Sequence, residues 1–313
     1  MIPRRAYYAL KPFIPRKVQL FLRRVFVARK LEKVRNVWPI DEKAGEKPQG
    51  WKGWPEGKQF ALVLTHDVDT QRGHDKALKL AEMEKELGFC SSFNFVCRRY
   101  QISKKMLENL RDKGFEIGNH GVYHDGKKLN SLEIFQERSR IINDFIEEWG
   151  AAGFRAPSML MNLEWIHHLN IEYDCSTFDT DPFEPCPDGV GTIFPFFIPH
   201  GDHKDVVELP YTLPQDFTLF VLMREKSSRI WEEKVEWIAR KGGMVLLNTH
   251  PDYMNFESGP CEPEEYPADI YREFLFNMKE KFEGRYWHVL PRDLSTYVRD
   301  MKKSGWENPG KPT

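Results

Sequence analysis

From Phe60 onward, short apolar runs alternate with helical patterns, and this alternation most constrains the fold. Apolar runs at 60–64 and 92–96 predict buried strands. Between them, apolar residues recur at helical spacing and stop at Gly88, a residue type that commonly ends helices. Because the same alternation continues to about residue 290, we predict an α/β domain with a parallel sheet and helical crossovers.

The remaining predicted elements complete the alternation. Further strands are predicted at 115–117, 153–155, 171–176, 206–209, 244–248 and 287–290, and helices at 106–111, 132–149, 163–169, 228–241 and 264–282. Asn130 and Glu133 predict a capping box for the helix at 132–149. Periodicity does not distinguish an open sheet from a closed barrel. Both collect functional groups at the carboxyl ends of their strands.

The charge of the chain is balanced overall but uneven along its length. Lys and Arg total 46 against 47 Asp and Glu, which gives no reason to expect nucleic acid as a partner. Residues 1–35 nevertheless contain eleven Lys or Arg and one acid, Glu32. We therefore predict a basic amphipathic arm and linker at 1–58, a catalytic domain at 59–300 and a tail at 301–313.

The arm has two interpretations. Val18, Phe21, Leu22 and Val25 recur at helical spacing with basic residues largely on the other side, so residues 16–35 could bind an anionic membrane surface. The alternative is that this helix packs on the body or frays. Five cysteines without a CxxC pair, no secretory signal and no long apolar run predict a cytoplasmic protein, peripheral at the inner membrane face if the arm binds lipid.

Two carboxylates follow the first predicted strand. Asp67 and Asp69 are separated by one residue at the point where the apolar run stops. Their mutual repulsion must be offset by a cation or an arginine. Aspartate is also common in turns and caps, so on its own this pair indicates a turn as readily as a functional site.

Two histidines, His120 and His124, follow the third predicted strand. On one helical turn, positions i and i+4 point the same way, so both rings could bind one ion. With Asp69 they would supply the N and O ligands that zinc prefers and leave a position open for water. The alternative is a pair of surface histidines.

Two more strand ends carry candidate residues. Arg155 follows the fourth predicted strand and His250 a later one. Separately, Arg155 would be interpreted as a surface charge and His250 as a structural histidine. Successive strand ends of one sheet that carry acid, histidine pair, arginine, acid and histidine favour a common site instead.

In this order the residues resemble the polysaccharide deacetylases, the NodB-homology group of carbohydrate esterase family four. That family has a distorted (β/α) barrel and carries an Asp pair, His-x-x-x-His, Arg-x-Pro, an Asp-bearing segment and Leu-x-x-His. The corresponding residues are Asp67/Asp69, His120/His124, Arg155/Pro157, 174–181 and Leu247/His250. The resemblance covers roughly residues 60–295, and it departs from the common pattern at the spacer Val68 and at Ser158, where the family often has Tyr.

The resemblance implies roles for these residues. Asp69, His120 and His124 would hold one divalent ion, zinc first, although cobalt, nickel, manganese or iron suit the same ligands. Asp67 would be the general base with Arg155 beside it, and His250 the general acid. A carboxylate must orient His250, and the fourth motif offers Asp179 first and Asp181 second.

Substrate contacts are predicted from Ser158, whose backbone N–H would serve the oxyanion, and from Asp181 and Phe183 in the long connection 179–205. That aromatic connection could form a substrate-binding lip or bury its own rings. The resulting hypothesis is removal of an N-acetyl or similar acyl group from a sugar, an intermediate of surface-polysaccharide assembly. The alternatives are an amidohydrolase acting on a small cyclic amide or ureide, and a non-catalytic glycan-binding protein.

Overall fold

The computed structural model describes residues 14–125, 131–160, 162–184, 189–198 and 205–306. Its strands are β1 (Phe60–Val68), β2 (Ser92–Phe95), β3 (Glu116–Asn119), β4 (Gly153–Phe154), β5 (Tyr173–Asp174), β6 (Phe196–Ile198), β7 (Val206–Glu208), β8 (Met244–Thr249), β9 (Met254–Asn255), β10 (Tyr266–Pro267) and β11 (Tyr286–His288). Its α-helices are α1 (Arg16–Val34), α2 (Gln71–Leu87), α3 (Lys104–Asp112), α4 (Leu132–Trp149), α5 (Arg229–Lys241), α6 (Ala268–Phe282) and α7 (Pro291–Lys303).

The sheet is organised around β1, whose nine residues are all buried. Strands β2 and β11 pair with successive parts of β1, while β8 pairs with it over residues 61–66, all in parallel. From β2 the sheet continues through β3, β4, β5 and β7 in parallel, and β6 then pairs antiparallel to β7. The antiparallel β6 departs from the all-parallel sheet that the sequence predicted.

An irregular segment links the two sides of this curled sheet. Thr212 N donates to the Leu246 carbonyl on β8 at 3.0 Å, and Leu246 N donates to Thr212 Oγ1 at 3.0 Å. The same segment forms a parallel bridge between Tyr211 and Phe178, beyond the end of β5. The curled, mostly parallel sheet confirms the predicted α/β fold of a distorted (β/α) barrel.

Helices cover the outside of the sheet with their apolar faces. In α4, Phe135, Ile142 and Ile146 lie at helical spacing and are buried in the core. This helix begins after Ser131, whose Oγ accepts a hydrogen bond from Ile134 N at 3.3 Å. The N-cap is therefore Ser131, one residue later than predicted, and Asn130 lies outside the described residues.

Three parts of the chain differ from the predicted elements. The helix predicted at 163–169 is only the short 3₁₀ turn Ile166–His168. A helix at Pro291–Lys303 was not predicted, although Leu294, Val298 and Met301 are buried at helical spacing. A π-helical turn at Phe217–Met223 was also missed.

The predicted arm helix exists as α1 and packs on the body. Leu20 and Val27 are buried against the π-helical turn Phe217–Met223, and Arg24 donates to the carbonyl oxygens of Val221 at 3.0 Å and Pro263 at 2.9 Å. Residues 16–34 therefore pack on the body, as one of the two interpretations of the arm predicted. Within the described ranges, no helix is both long and apolar enough to cross a membrane.

The segments predicted as linker and tail also pack on the barrel. Trp54 is 5% exposed, and its Nε1 donates to the carbonyl oxygens of Gly242 and Gly243 at 3.0 Å. Trp51 makes an edge contact with Trp306 at 5.3 Å between ring centroids. Both segments therefore contribute to the core, because Trp54 and Trp306 are buried in one hydrophobic cluster and Trp51 packs against it.

This packing predicts that the former linker stabilises the protein. Trp54→Ala should lower the free energy of unfolding by about 3–5 kcal/mol, because it leaves a cavity where a large buried ring stood. Denaturant titration followed by far-ultraviolet circular dichroism measures this. Phe276→Ala is the control, since Phe276 is 52% exposed and its truncation should cost less than about 0.5 kcal/mol. Equal effects of the two changes would contradict the packing described for Trp54.

Candidate metal centre and catalytic site

The carboxyl ends of four parallel strands open into one cavity of about 440 Å³. Strand β1 leads to Asp67 and Asp69, β3 to the two histidines, β4 to Arg155 and β8 to His250. The candidate residues that line the cavity are Asp67, Asp69, His120, His124, Ser158, Phe183 and His250. Arg155 is fully buried beneath them. The strand-end residues predicted from the sequence are thus brought together, as a parallel sheet requires.

Asp69, His120 and His124 form a group that fits a metal ion. One ligand atom from each lies within 4.8 Å of the others. Asp69 Oδ1 is 3.3 Å from His120 Nε2 and 3.1 Å from His124 Nε2. This oxygen is buried and accepts no hydrogen bond of good geometry from the described residues. A buried carboxylate oxygen that faces two imidazole nitrogens is the donor set that divalent zinc binds.

A second contact prepares His120 as a ligand. Its Nδ1 lies 3.0 Å from the carbonyl oxygen of Arg155, which can only accept a hydrogen bond. The proton therefore belongs on Nδ1, and Nε2 keeps its lone pair toward Asp69. Burial also lowers the pKa of His120, despite the nearby carboxylates that oppose this effect. The hydrogen bond at Nδ1 and the burial of the ring both favour the neutral imidazole that metal binding requires.

The sequence spacing suggested that the two histidines lie on one helical turn, but they do not. His120 follows β3 directly, and the chain then turns at Gly121, with φ of 76°, to reach His124, with φ of 53°. An added Cβ at Gly121 would lie 2.9 Å from the ring of Pro157. A tight turn against Pro157, rather than a helix, therefore aims His124 at Asp69.

Backbone strain is concentrated at this cavity. The described part of the chain has five non-glycine residues with positive φ, and three of them, His124, Ser158 and Met159, line the cavity. Such conformations cost roughly 1–3 kcal/mol each and persist where the surroundings enforce them. Their clustering favours a functional role for this end of the barrel.

Asp67 lies beside the candidate ligands and is held by neutral donors. Asn94 Nδ2 donates to its Oδ1 at 3.0 Å and Asn248 Nδ2 to its Oδ2 at 2.8 Å, while Arg155 Nε is 3.5 Å away. Burial would raise the pKa of Asp67, but His120, Arg155 and the other neighbours hold it below its ordinary value. An ionised, fixed carboxylate can accept a proton from a water in the cavity.

His250 is oriented by Asp216, a residue that the sequence prediction missed. His250 Nδ1 is 2.7 Å from Asp216 Oδ1, and the backbone N–H of His250 donates to Oδ2 at 2.8 Å. Tyr266 also donates to Oδ2, at 3.0 Å. The backbone N–H groups of His250 and Phe217 and the Tyr266 hydroxyl therefore fix this carboxylate, which in turn fixes the imidazole.

The prediction that Asp179 orients His250 is wrong. Asp179 is buried in an ion pair with Lys234 at 2.6 Å. Asp179 follows β5, whereas residues 212–213 donate to the Leu246 carbonyl on β8 and lead directly to Asp216. Asp181, the second choice, accepts from Phe183 N at 2.9 Å and from Tyr211 at 3.3 Å. No periodicity marks the segment between β7 and Asp216, so the sequence pattern carried no signal for this residue.

The charge on His250 follows from these neighbours. Burial alone would lower the pKa of His250, but the charge and hydrogen bond of Asp216, with the charges of Asp69 and Asp67, raise it to about 10. Its Nε2 is 4.0 Å from Asp67 Oδ2. His250 is therefore protonated at neutral pH and faces the proposed base across the cavity.

The structure places two of the three predicted substrate residues at the cavity. Ser158 and Phe183 line the cavity, whereas Asp181 is buried behind it and is not among the lining residues. The aromatic residues Phe194, Phe196 and Phe197 of the long connection are all buried. Of the two interpretations of this connection, burial of its own rings therefore applies to these three, whereas the ring of Phe183 lines the cavity.

Comparisons with solved structures identify the fold. It is similar to that of a Mycobacterium smegmatis protein described as a polysaccharide deacetylase, with a TM-score of 0.63 and 18% identity over 85% of this chain and 98% of that one. A Pseudomonas aeruginosa PAO1 protein described in the same way gives 0.60 and 11%, over 79% and 93%. Puue allantoinase gives 0.57 and 14%, over 84% and 98%.

The resemblance to the polysaccharide deacetylases is thereby confirmed for the fold, which the allantoinase shares. No protein-family model matches the sequence, and no curated protein does. The residues in the cavity, rather than the fold, must therefore carry any argument about function.

The metal centre predicts a specific loss of binding. Asp69→Asn and His120→Gln should each weaken Zn²⁺ binding by more than about 100-fold, because a direct ligand is worth more than the ~10–100-fold of an outer contact. Equilibrium dialysis followed by elemental analysis measures the bound ion. His168→Gln, a partly buried histidine outside the cavity, is the control and should retain one ion per chain. Unchanged binding in both ligand variants would exclude this site.

The Asp216 contact predicts a change in the titration of His250. Asp216→Asn removes the negative charge that stabilises the imidazolium, so the pKa of His250 should fall from about 10 toward its ordinary 6.5. Nuclear magnetic resonance titration of the ring protons follows it directly. Asp181→Asn is the matched control, because Asp181 is equally buried but does not contact His250. A wild-type His250 that titrates near 6.5 would contradict the assignment.

Proposed function

We propose that the protein is a metal-dependent hydrolase that removes an N-acetyl or similar acyl group from a sugar, an intermediate of surface-polysaccharide assembly. The observation that supports this proposal is the meeting of three complementary groups in one cavity. These groups are the Asp69–His120–His124 ligand set, the ionised Asp67 and the protonated His250. Together they supply what hydrolysis of an unactivated amide needs: a polarised carbonyl, a base and an acid.

The ligand set would hold one divalent ion, with zinc as the first candidate. When bound, such an ion polarises the acyl carbonyl and lowers the pKa of a coordinated water to about 7. Asp67, fixed by Asn94 and Asn248, takes the proton of the attacking water. Arg155 keeps the carboxylate ionised, because its guanidinium is buried beside it.

His250 completes the reaction as the general acid. An amine leaves an acyl centre only after protonation, so the acid must be charged before the C–N bond breaks. Asp216 meets this condition by stabilising the imidazolium and by holding Nε2 toward the cavity. Asp67 and His250 thus have opposite roles because their neighbours carry opposite charges.

Ser158 and Phe183 are the proposed contacts to the substrate. The left-handed conformation of Ser158, with φ of 56°, belongs to a strained turn at the cavity wall. We propose that its backbone N–H donates to the oxyanion, a contact whose loss typically costs about 3–4 kcal/mol. Phe183 offers an apolar ring at the cavity wall for one face of a sugar. Asp181 has no proposed contact with substrate, since it lies behind the wall.

Two other functions use the same fold. A small cyclic amide or ureide could be opened by the same groups, and an allantoinase shares the fold. A non-catalytic glycan-binding protein would need only the cavity. The complete set of ligands, base and acid favours an enzyme over this last alternative, because buried charges at such density cost stability and glycan binding alone does not require them.

The place of action is part of the proposal. We propose that the substrate is a lipid-linked or nucleotide-linked sugar rather than a finished polymer, and that the basic residues of 16–35 make a peripheral contact with anionic membrane. A cytoplasmic location remains a prediction from the sequence.

Release of the acyl group tests the proposal. The Zn²⁺-loaded protein is assayed for acetate release from N-acetylated sugar nucleotides and oligosaccharides, with a cyclic ureide as a separate substrate. We expect release from an N-acetylated sugar that stops after chelation. Asp67→Asn and His250→Gln should each lower kcat by about 10²–10⁴-fold, the range for loss of an acid or base.

Three outcomes are informative. Turnover of the ureide alone would replace the sugar in this proposal, and tight binding of an oligosaccharide without release would favour the glycan-binding protein. Full activity after removal of metal would contradict the proposed chemistry in both enzymatic forms. Arg140→Gln, an exposed residue on α4, is the control and should leave kcat unchanged.

A further inference from the structure

Helix α1 exposes an apolar face to solvent, which is unexpected for a helix that only packs on the body. Its apolar residues Val18, Phe21, Leu22 and Phe26 are 45%, 63%, 50% and 57% exposed. They supply four of the eight large hydrophobic side chains that are exposed in the described part of the chain. At 100° per residue they lie on one side of the helix, opposite Leu20 and Val27. The outer face of α1 is thus an apolar strip.

The inner face of the same helix carries arginines. Arg16 pairs with Glu264, Arg24 donates to the carbonyls of Val221 and Pro263, and the Arg23 guanidinium lies 4.7 Å from the centre of the Phe217 ring. These arginines point toward the protein while remaining partly exposed, and the phenylalanines point outward, which inverts the usual surface helix. Such an arrangement is costly in water unless another apolar phase covers the strip.

Basic residues surround the apolar strip. Lys17, Arg29 and Lys33 are exposed on α1, and no ion pair to a described carboxylate involves any of them. The only acid among residues 1–35 is Glu32, against eleven Lys or Arg. An apolar strip with a positively charged border is the pattern of a helix that lies in the interface of an anionic membrane.

The strip lies next to the active-site cavity. Arg16 and Arg23, on the inner face of α1, line that cavity. Because a helix is about 10–12 Å across, the outer strip is one helix diameter from the cavity wall. Any surface that binds the strip therefore lies at the rim of the cavity.

We propose that the outer face of α1, formed by Val18, Phe21, Leu22 and Phe26, inserts into an anionic membrane and holds the cavity rim at its surface. The site would then act on a substrate carried in that membrane. This inference deepens the peripheral contact proposed above, and only its link to the substrate rests on the proposed function.

A second copy of the chain is the competing occupant of the strip. A symmetric dimer through this face would bring Lys17, Arg29 and Lys33 close to the same residues of the other copy, and like charges oppose such an interface. Four large side chains are also far fewer than the roughly 20–30 residues a side of a specific interface. Anionic lipid has neither difficulty, since its charge is complementary.

Vesicle binding tests the inference independently of activity. The full chain, treated with chelator and without substrate, is sedimented with vesicles of phosphatidylcholine alone or mixed with phosphatidylglycerol. We expect binding to the mixed vesicles that weakens as salt is added. Phe21→Ser/Phe26→Ser should weaken it by about tenfold or more, whereas Phe276→Ser, an equally exposed ring on α6, should not.

A pair of matched double variants tests the contribution of basic residues to vesicle binding. Arg29→Gln/Lys33→Gln should lower binding to the mixed vesicles, while Lys105→Gln/Arg140→Gln, two exposed basic residues away from α1, should leave it unchanged. Circular dichroism confirms that each variant is folded. Absence of vesicle binding by the folded wild-type chain overturns the inference. A dimer that dissociates in Phe21→Ser/Phe26→Ser would likewise overturn it in favour of a second copy.

Discussion

The rest of the structure depends on two carboxylates, Asp67 and Asp69, that are buried side by side at the end of β1. Removal of each ionised group from water costs several kcal/mol unless donors or cations compensate. The neighbouring strands supply the compensation: an arginine from β4, amides from β2 and β8, and histidines from β3 and β8. The central strand β1 pairs with two of these strands, β2 and β8, and β3 and β4 follow β2 in the sheet, so their ends also lie near the acids.

The two carboxylates differ because their compensation differs. Each oxygen of Asp67 accepts a hydrogen bond from a neutral amide, and a buried arginine lies beside the carboxylate. Asp69 keeps one oxygen free of hydrogen bonds from the described residues and faces two imidazoles. One acid is therefore suited to proton transfer and the other to metal binding, although the sequence separates them by one residue.

The candidate residues could be predicted because a parallel sheet aligns its strand ends. Once the apolar runs are recognised, the polar residues that follow them must meet, and this held for Asp67, Asp69, His120, Arg155 and His250. It failed for the residue that orients His250. Asp179 follows a regular strand, whereas Asp216 follows an irregular segment that the periodicity does not mark. Similarly, the spacing of His120 and His124 suggested a helix, but Gly121 and Pro157 impose a turn.

By itself, the sequence determined the alternation of strands and helices, the strand ends and the helical character of residues 16–34, since each follows from local periodicity. Only the tertiary structure decided which carboxylate faces His250, which rings of the long connection are buried, and which face of α1 packs. These outcomes depend on contacts between segments far apart in the chain, such as Thr212 with Leu246 and Leu20 with Phe217. Periodicity describes each segment alone and carries no information about its partner.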